Sequence, residues 1–279
     1  MYNQLMRKFY IIIVLICFCF VLTSCKSTND FTKAVWWWDD KLDTQTYLDF
    51  LYENNINEIF YCSDDFDNET SSFISKANKK NIKVYFLAGE YQWLTNSAPL
   101  YHKIEKYLEY QNNFSHSKFS GIHLDIEPHQ HEDFSLSEVR KTLITNLVSL
   151  VYDLSTKYTN IHFDYDIPFW LDDTITFNQS TLPAYAHIIS YANRVTIMSY
   201  RDSAQAIYDC AKDEIEFAKS VNKTLILGVE THSNEGDKVS FMEEGKTFMM
   251  QELDKLEKML PNNFGISIHN AKTWKNLKD

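Results

Sequence analysis

Between positions 122 and 127 apolar and polar residues alternate: Ile122-His123-Leu124-Asp125-Ile126-Glu127. Successive side chains on a strand point to opposite faces. Ile122, Leu124 and Ile126 therefore share one face, and His123, Asp125 and Glu127 share the other. Three polar side chains turned into a sheet's interior make a poor core. They fit a face that opens on a solvent-filled site. Pro128 follows and ends the strand by removing a backbone donor. Carboxylates two residues apart on one face lie within about 7 Å of each other, from a rise of ~3.3 Å per residue. Repulsion at that range raises one pKa, and a carboxyl so raised can donate a proton near neutral pH. The plain alternative is a polar strand end consumed by loop hydrogen bonds. Convergence of three polar groups favours chemistry.

Such a strand needs a scaffold, and the rest of the chain spells one out. Strands are expected at 34–38 (AVWWW), 56–62, 82–88, the stretch above, 160–167, 194–200, 224–229 and 264–268. Helices are expected between them, over 43–54, 68–80, 98–112, 136–157, 181–191, 203–221 and 240–260, with a short one closing the chain. Ser135 with Glu138, and Ser240 with Glu243, read as capping boxes. Val139, Leu143, Leu147, Leu150, Val151 and Leu154 recur at helical spacing. Eight strands alternating with helices point to an α/β fold, a single-domain (β/α)₈ TIM barrel over residues 33–279. A doubly wound open sheet is the runner-up. It wants a glycine-rich phosphate turn after its first strand, and Trp36-Trp37-Trp38-Asp39-Asp40 is not one.

In a barrel of this kind the active site lies at the C-terminal ends of the strands. Those ends carry Trp38, Asp39, Asp64, Glu90, Asp125, Glu127, Asp166, Tyr200, Glu230 and His269. The set is rich in acids and aromatics and has no Lys or Cys. That disfavours Schiff-base and thiol chemistry. It favours carboxylate chemistry on an uncharged ring, which means a glycoside. Competing readings stand beside several of these residues. Glu230 reads equally well as a rim carboxylate paired with a cation. His123, Glu127, His129 and His131 fit no justified metal-ligand spacing, so no metal or other cofactor is expected. Trp37 faces opposite to Trp36 and Trp38, so at least one of the three belongs to the core between barrel and helices, and Trp38 is a candidate sugar platform. Asp166, nearer the strand tip than Asp164, is the better site candidate on strand five.

The formal net charge is −11. Arg7 and Lys8 precede an apolar run from Phe9 to Leu22 that is short for a bilayer span. The run ends in Leu22-Thr23-Ser24-Cys25, which resembles the lipobox of bacterial lipoproteins. The resemblance implies cleavage after residue 24, a lipid on Cys25, a tether over 25–32, and an extracytoplasmic protein anchored to the bacterial cell membrane. Loss of Arg7 and Lys8, with no acid, would move the charge from −11 to −13. An acidic surface argues against nucleic acid and anionic polymers. Cys62 and Cys210 read as small buried hydrophobes.

Ser120-Gly121-Ile122-His123-Leu124-Asp125-Ile126-Glu127 resembles the strand-four signature D-G-x-D-x-D-x-E of the chitinase-type glycoside hydrolases of family 18. Ile197-Met198-Ser199-Tyr200-Arg201-Asp202 looks like the same family's M-x-Y-D on strand six. The resemblance implies that Glu127 is the general acid. It implies that Asp125 orients the substrate acetamide and supports the cyclic intermediate that group forms. It also implies that Tyr200 donates to the acetamide oxygen. Such a substrate-assisted route needs no protein nucleophile. The sequence departs from the pattern at Ser120, at His123 and at Arg201, and Trp274 stands where the family's floor tryptophan is looked for. With His123 in place of an acid, Asp125 is expected to be held ionised by an imidazolium. The expected substrate-binding set is Trp38, His123, Asp166, Glu230 and Trp274. A retaining glycosidase with Glu230 as nucleophile, a non-catalytic carbohydrate-binding lipoprotein and a metal-dependent phosphodiesterase are the alternatives.

Overall fold

The computed structural model describes residues 31–39, 42–63, 65–233 and 236–279. Residues 1–30, which carry the expected signal, Cys25 and most of the tether, lie outside the described residues, as does Asp64. Eight parallel strands close into a barrel: β1 (Thr32–Trp37), β2 (Glu58–Cys62), β3 (Lys83–Ala88), β4 (Gly121–Leu124), β5 (Phe163–Pro168), β8 (Arg194–Met198), β9 (Thr224–Glu230) and β10 (Gly265–His269). Each pairs with its neighbour in chain order, and β10 closes on β1 through Thr32 opposite Gly265. Closure excludes the open doubly wound sheet. The barrel begins two residues earlier than expected, since Phe31 is buried and Thr32 is already in register.

Helices cover the outside: α1 (Thr44–Glu53), α2 (Asn68–Asn78), α3 (Ala98–Asn113), α4 (Ser137–Lys157), α5 (Ala184–Tyr191), α6 (Ala204–Cys210), α7 (Lys212–Ser220), α8 (Gly245–Met259) and α9 (Ala271–Asn276). Asp43 and Asp67 cap α1 and α2 by accepting from backbone N–H groups two and three residues on. The two expected capping boxes do not form. Ser135 lies in the turn before α4, where the Leu136 N–H is bonded to Asp133, and Leu136 takes the cap position. The Ser240 hydroxyl accepts from the Met242 N–H, but α8 starts only at Gly245. The helix expected over 203–221 is broken at Ala211 into α6 and α7. A hairpin of β6 (Thr174–Phe177) and β7 (Ser180–Pro183) precedes α5. Its turn uses Asn178 and Gln179 at positive φ, a signal the sequence carries weakly.

Alternation on β1 sorts the tryptophans. Trp37 packs outward against Tyr47 and Phe73. Trp36 points into the barrel, edge-on to Phe60 and His123. Gly228 makes room for it: a Cβ there would come within 3.0 Å of the Trp36 ring. The interior is polar as well as aromatic. Glu58, His123, Asp164, Asp166, Arg194, Thr196 and Ser267 are all buried.

Candidate active site

The polar interior is a stack of ion pairs. Near the N-terminal ends of the strands, Arg194 donates to Glu58 at 2.6 Å and its Nε donates to Asp164 at 3.1 Å, with its guanidinium over the Tyr85 ring. Asp164 also bonds His162 at 2.7 Å. Burial alone would raise the Asp164 pKa, but Arg194, His123 and His162 together hold it well below the carboxylate range. One layer up, the His123 ring stacks on Phe60 at 3.6 Å, with Nε2 2.8 Å from Asp166 and Nδ1 3.7 Å from Asp164. Burial works against its charge, but Asp166 and Asp164 outweigh it and lift His123 to about 9. Asp166 in turn accepts the Trp36 indole N–H at 2.9 Å.

Two expectations change here. Neither His123, wholly buried, nor Asp166 lines the cleft at the barrel mouth; both lie beneath it and support it. The His123 imidazolium is engaged by Asp166 and Asp164 and does not hold Asp125 ionised. Burial, Asp166 and Glu127 push the Asp125 pKa well up, with His123 only partly opposing them. The Asp125 Oδ1 is buried with no hydrogen-bond partner. The end of β4 that bears it is fixed by its N–H donating to Ala88 at 3.0 Å. Gly89 permits that approach, because a Cβ there would fall 1.7 Å from the Asp125 carbonyl oxygen.

Above this stack the strand ends enclose an open cleft of about 350 Å³. Asp125, Glu127, Tyr200 and Glu230 all reach it, as do Phe169, Trp170, Arg201 and His129. Glu127 has a side chain 18% exposed, 3.5 Å from His129 Nε2, and accepts from Gln130. Burial, then Glu230, Asp166, Asp125 and Glu127, keep the Tyr200 phenol protonated far above its ordinary range, so it serves as a donor.

Glu230 is 2% exposed. Its Oε1 accepts the backbone N–H groups of Thr231 and His232 at 2.6 and 2.7 Å, and its Oε2 meets His269 Nδ1 at 2.8 Å. Both oxygens are engaged. Trp38, 36% exposed, donates its indole N–H to His269 Nε2 at 3.0 Å. Indole can only donate, so the His269 proton sits on Nδ1 and faces Glu230. Trp38 borders a second depression of about 310 Å³ that also holds Tyr61, Ser63 and Asp67. Trp274 is a correction. It is wholly buried on α9, edge-on to Phe50 of α1, outside the barrel, and forms no floor. Trp36 fills the interior beneath the cleft instead. Residues 169 and 170 escaped the sequence reading, although an aromatic pair directly after the strand-ending Pro168 was a usable signal. Trp170 is backed by Arg140, 5.1 Å from its ring, and Arg140 is locked by Asp173.

No family model matches the sequence, and no curated protein matches it. Solved structures do. The chain is similar to a GH18 chitinase from Pseudoalteromonas aurantia, at TM-score 0.57 and 10% identity, over 86% of this chain and 94% of that one. The fold is that of the family 18 chitinases. A mutant class V chitinase from Nicotiana tobaccum in complex with NAG4 gives TM-score 0.53 at 13% identity, over 88% of this chain and 99% of that one. The spore cortex-lytic enzyme SleL of Bacillus megaterium gives 0.52 at 11%, over 88% and 72%. The strand-four and strand-six motifs thus sit on a chitinase-like barrel.

Proposed function

We propose that the chain is a glycoside hydrolase that cleaves a poly- or oligosaccharide containing N-acetylhexosamine, by acid catalysis with substrate assistance. The observation that carries the reading is the meeting of Asp125, Glu127 and Tyr200 at one cleft on the C-terminal mouth of the barrel. Glu127, with a side chain 18% exposed at the cleft, protonates the leaving glycosidic oxygen. Tyr200 donates its O–H to the acetamide oxygen and holds it against the anomeric carbon. As positive charge develops there, Asp125 lies two residues from Glu127 to receive the acetamide N–H and stabilise the cyclic intermediate; water then opens the ring, with Glu127 accepting its proton. The engagement of both Glu230 oxygens favours this route over a Glu230 nucleophile. Phe169 and Trp170 supply an apolar wall for a sugar face. The bound NAG4 in the tobacco chitinase supports a glycan as ligand.

The lipobox-like Leu22-Thr23-Ser24-Cys25 supports an enzyme outside the cytoplasm, tethered to the membrane by lipid on Cys25. Radiolabelled palmitate should enter the wild type and be absent from Cys25→Ser. For the chemistry, the full chain in detergent is assayed on chitin oligomers, N-glycans, peptidoglycan fragments and plain glucans, beside Glu127→Gln. Turnover confined to acetamido sugars and lost in Glu127→Gln is expected. A Glu127→Gln protein as active as wild type would sink the assignment. Binding without turnover would move the protein to the non-catalytic class.

A further inference from the structure

Three arginines fall among the described residues, and two are committed. Arg140 is locked to Asp173, and Arg194 to Glu58 and Asp164. Arg201 differs. It lines the cleft beside Asp125 and Glu127 and has no ion-pair partner among the described residues. Its Nη1 donates to the Tyr200 carbonyl at 2.7 Å, and its guanidinium lies over the Phe169 ring at 4.6 Å. Those contacts fix the plane of the fork while using one of its five N–H donors. A half-buried, pre-oriented cation that no carboxylate of the described residues pairs with, in a cleft that can take a ligand, is matched by an anion on that ligand.

The kind of anion follows from the surroundings. A planar guanidinium pairs best with a planar carboxylate, through two parallel hydrogen bonds. A phosphate or sulfate ester would call for further fixed cations. The other basic groups at the cleft are His129, close to Glu127, and His269, whose Nε2 accepts from Trp38. The net charge of −11 also repels a densely anionic chain. A lone guanidinium over an aromatic ring can still read one carboxylate at a time.

Resting on the glycosidase reading above, we infer that Arg201 is a specificity-determining residue that binds a carboxylate substituent on the glycan. The substrate is then an N-acetylhexosamine chain in which a sugar near the cleaved bond carries a carboxylate, such as a lactyl ether, and not a wholly neutral chain.

The test compares two probes of equal length, chitotetraose and a peptidoglycan tetrasaccharide with lactyl carboxylates, on the full chain in detergent. Binding is measured by calorimetry on Glu127→Gln, so that turnover does not interfere, and kcat/KM is measured on the wild type. The acidic probe should bind about tenfold or more tightly, and the preference should shrink as salt is raised. Arg201→Gln should collapse the acidic-to-neutral ratio in both assays, and Arg201→Lys should restore part of it. A ratio near one in the wild type, or a preference that survives Arg201→Gln, overturns the inference while leaving a neutral-chain glycosidase standing. Failure to bind either probe overturns the inference and the glycosidase reading together.

Discussion

The interior of the barrel and its mouth are built from the same kinds of residue, yet they behave differently. Inside, Glu58, Arg194, Asp164, His123 and Asp166 form a ladder in which every charge faces an opposite one at short range. At the mouth, Asp125 has an oxygen without a partner, Glu127 is reached by solvent and Arg201 has an open fork. A buried charge is tolerated only when its partners are fixed, and fixing them removes it from chemistry. A group at the mouth keeps unused hydrogen-bonding capacity because water or substrate can complete it. Glu230 shows that position alone does not decide the matter, since it reaches the cleft with both oxygens engaged.

Breaking the mouth should cost activity and spare stability. Glu127→Gln should lower turnover by at least 100-fold, the scale of a lost general acid, with an unchanged thermal midpoint by calorimetry. Breaking the interior should do the reverse. Arg194→Ala leaves Glu58 and Asp164 buried without a counter-charge and should destabilise by about 3–5 kcal/mol in urea unfolding. If Arg194→Ala unfolds at the wild-type urea concentration, the ladder is not what holds the barrel together.

A subtler interior change sharpens the contrast through pH. His123 keeps its proton up to about 9 in the folded chain, whereas an unfolded histidine releases it near 6.5. Its contribution is therefore complete below 6.5 and is lost as pH rises through 9, a change on the order of a few kcal/mol. Unfolding free energy measured across that window should fall in the wild type and stay nearly flat in His123→Gln. Equal slopes in the two proteins would mean that the imidazolium is not clamped. The smallest effect is expected at the apolar wall. Trp170→Ala should raise KM by about threefold to tenfold and leave kcat within about twofold, if the ring binds sugar without touching the reacting bond.

Much of the scaffold was legible in one dimension. Strand-helix alternation and the apolar-polar pattern of 122–127 report local geometry, which depends on neighbours a few residues away. The motifs on strands four and six could likewise be read by position, and Asp125, Glu127 and Tyr200 do share a cleft. What failed depended on partners distant in sequence. His123 and Asp166 looked like site residues because alternation gives a face but not a depth, and their depth is set by Trp36 and Phe60 arriving from other strands. Trp274 was misread for a related reason: its place follows from how α9 folds back on Phe50.

The sequence by itself determined the period of each element, the strand–helix alternation and the arrival of Asp125, Glu127, Tyr200 and Glu230 at strand ends, because these follow from backbone geometry and side-chain alternation. Only the tertiary structure decided which of those groups stay chemically open. A side chain stays open only if no fixed partner reaches it, and such partners can come from far along the chain: His269, 39 residues on and on another strand, engages Glu230 Oε2 at 2.8 Å, whereas Asp125 Oδ1 meets none.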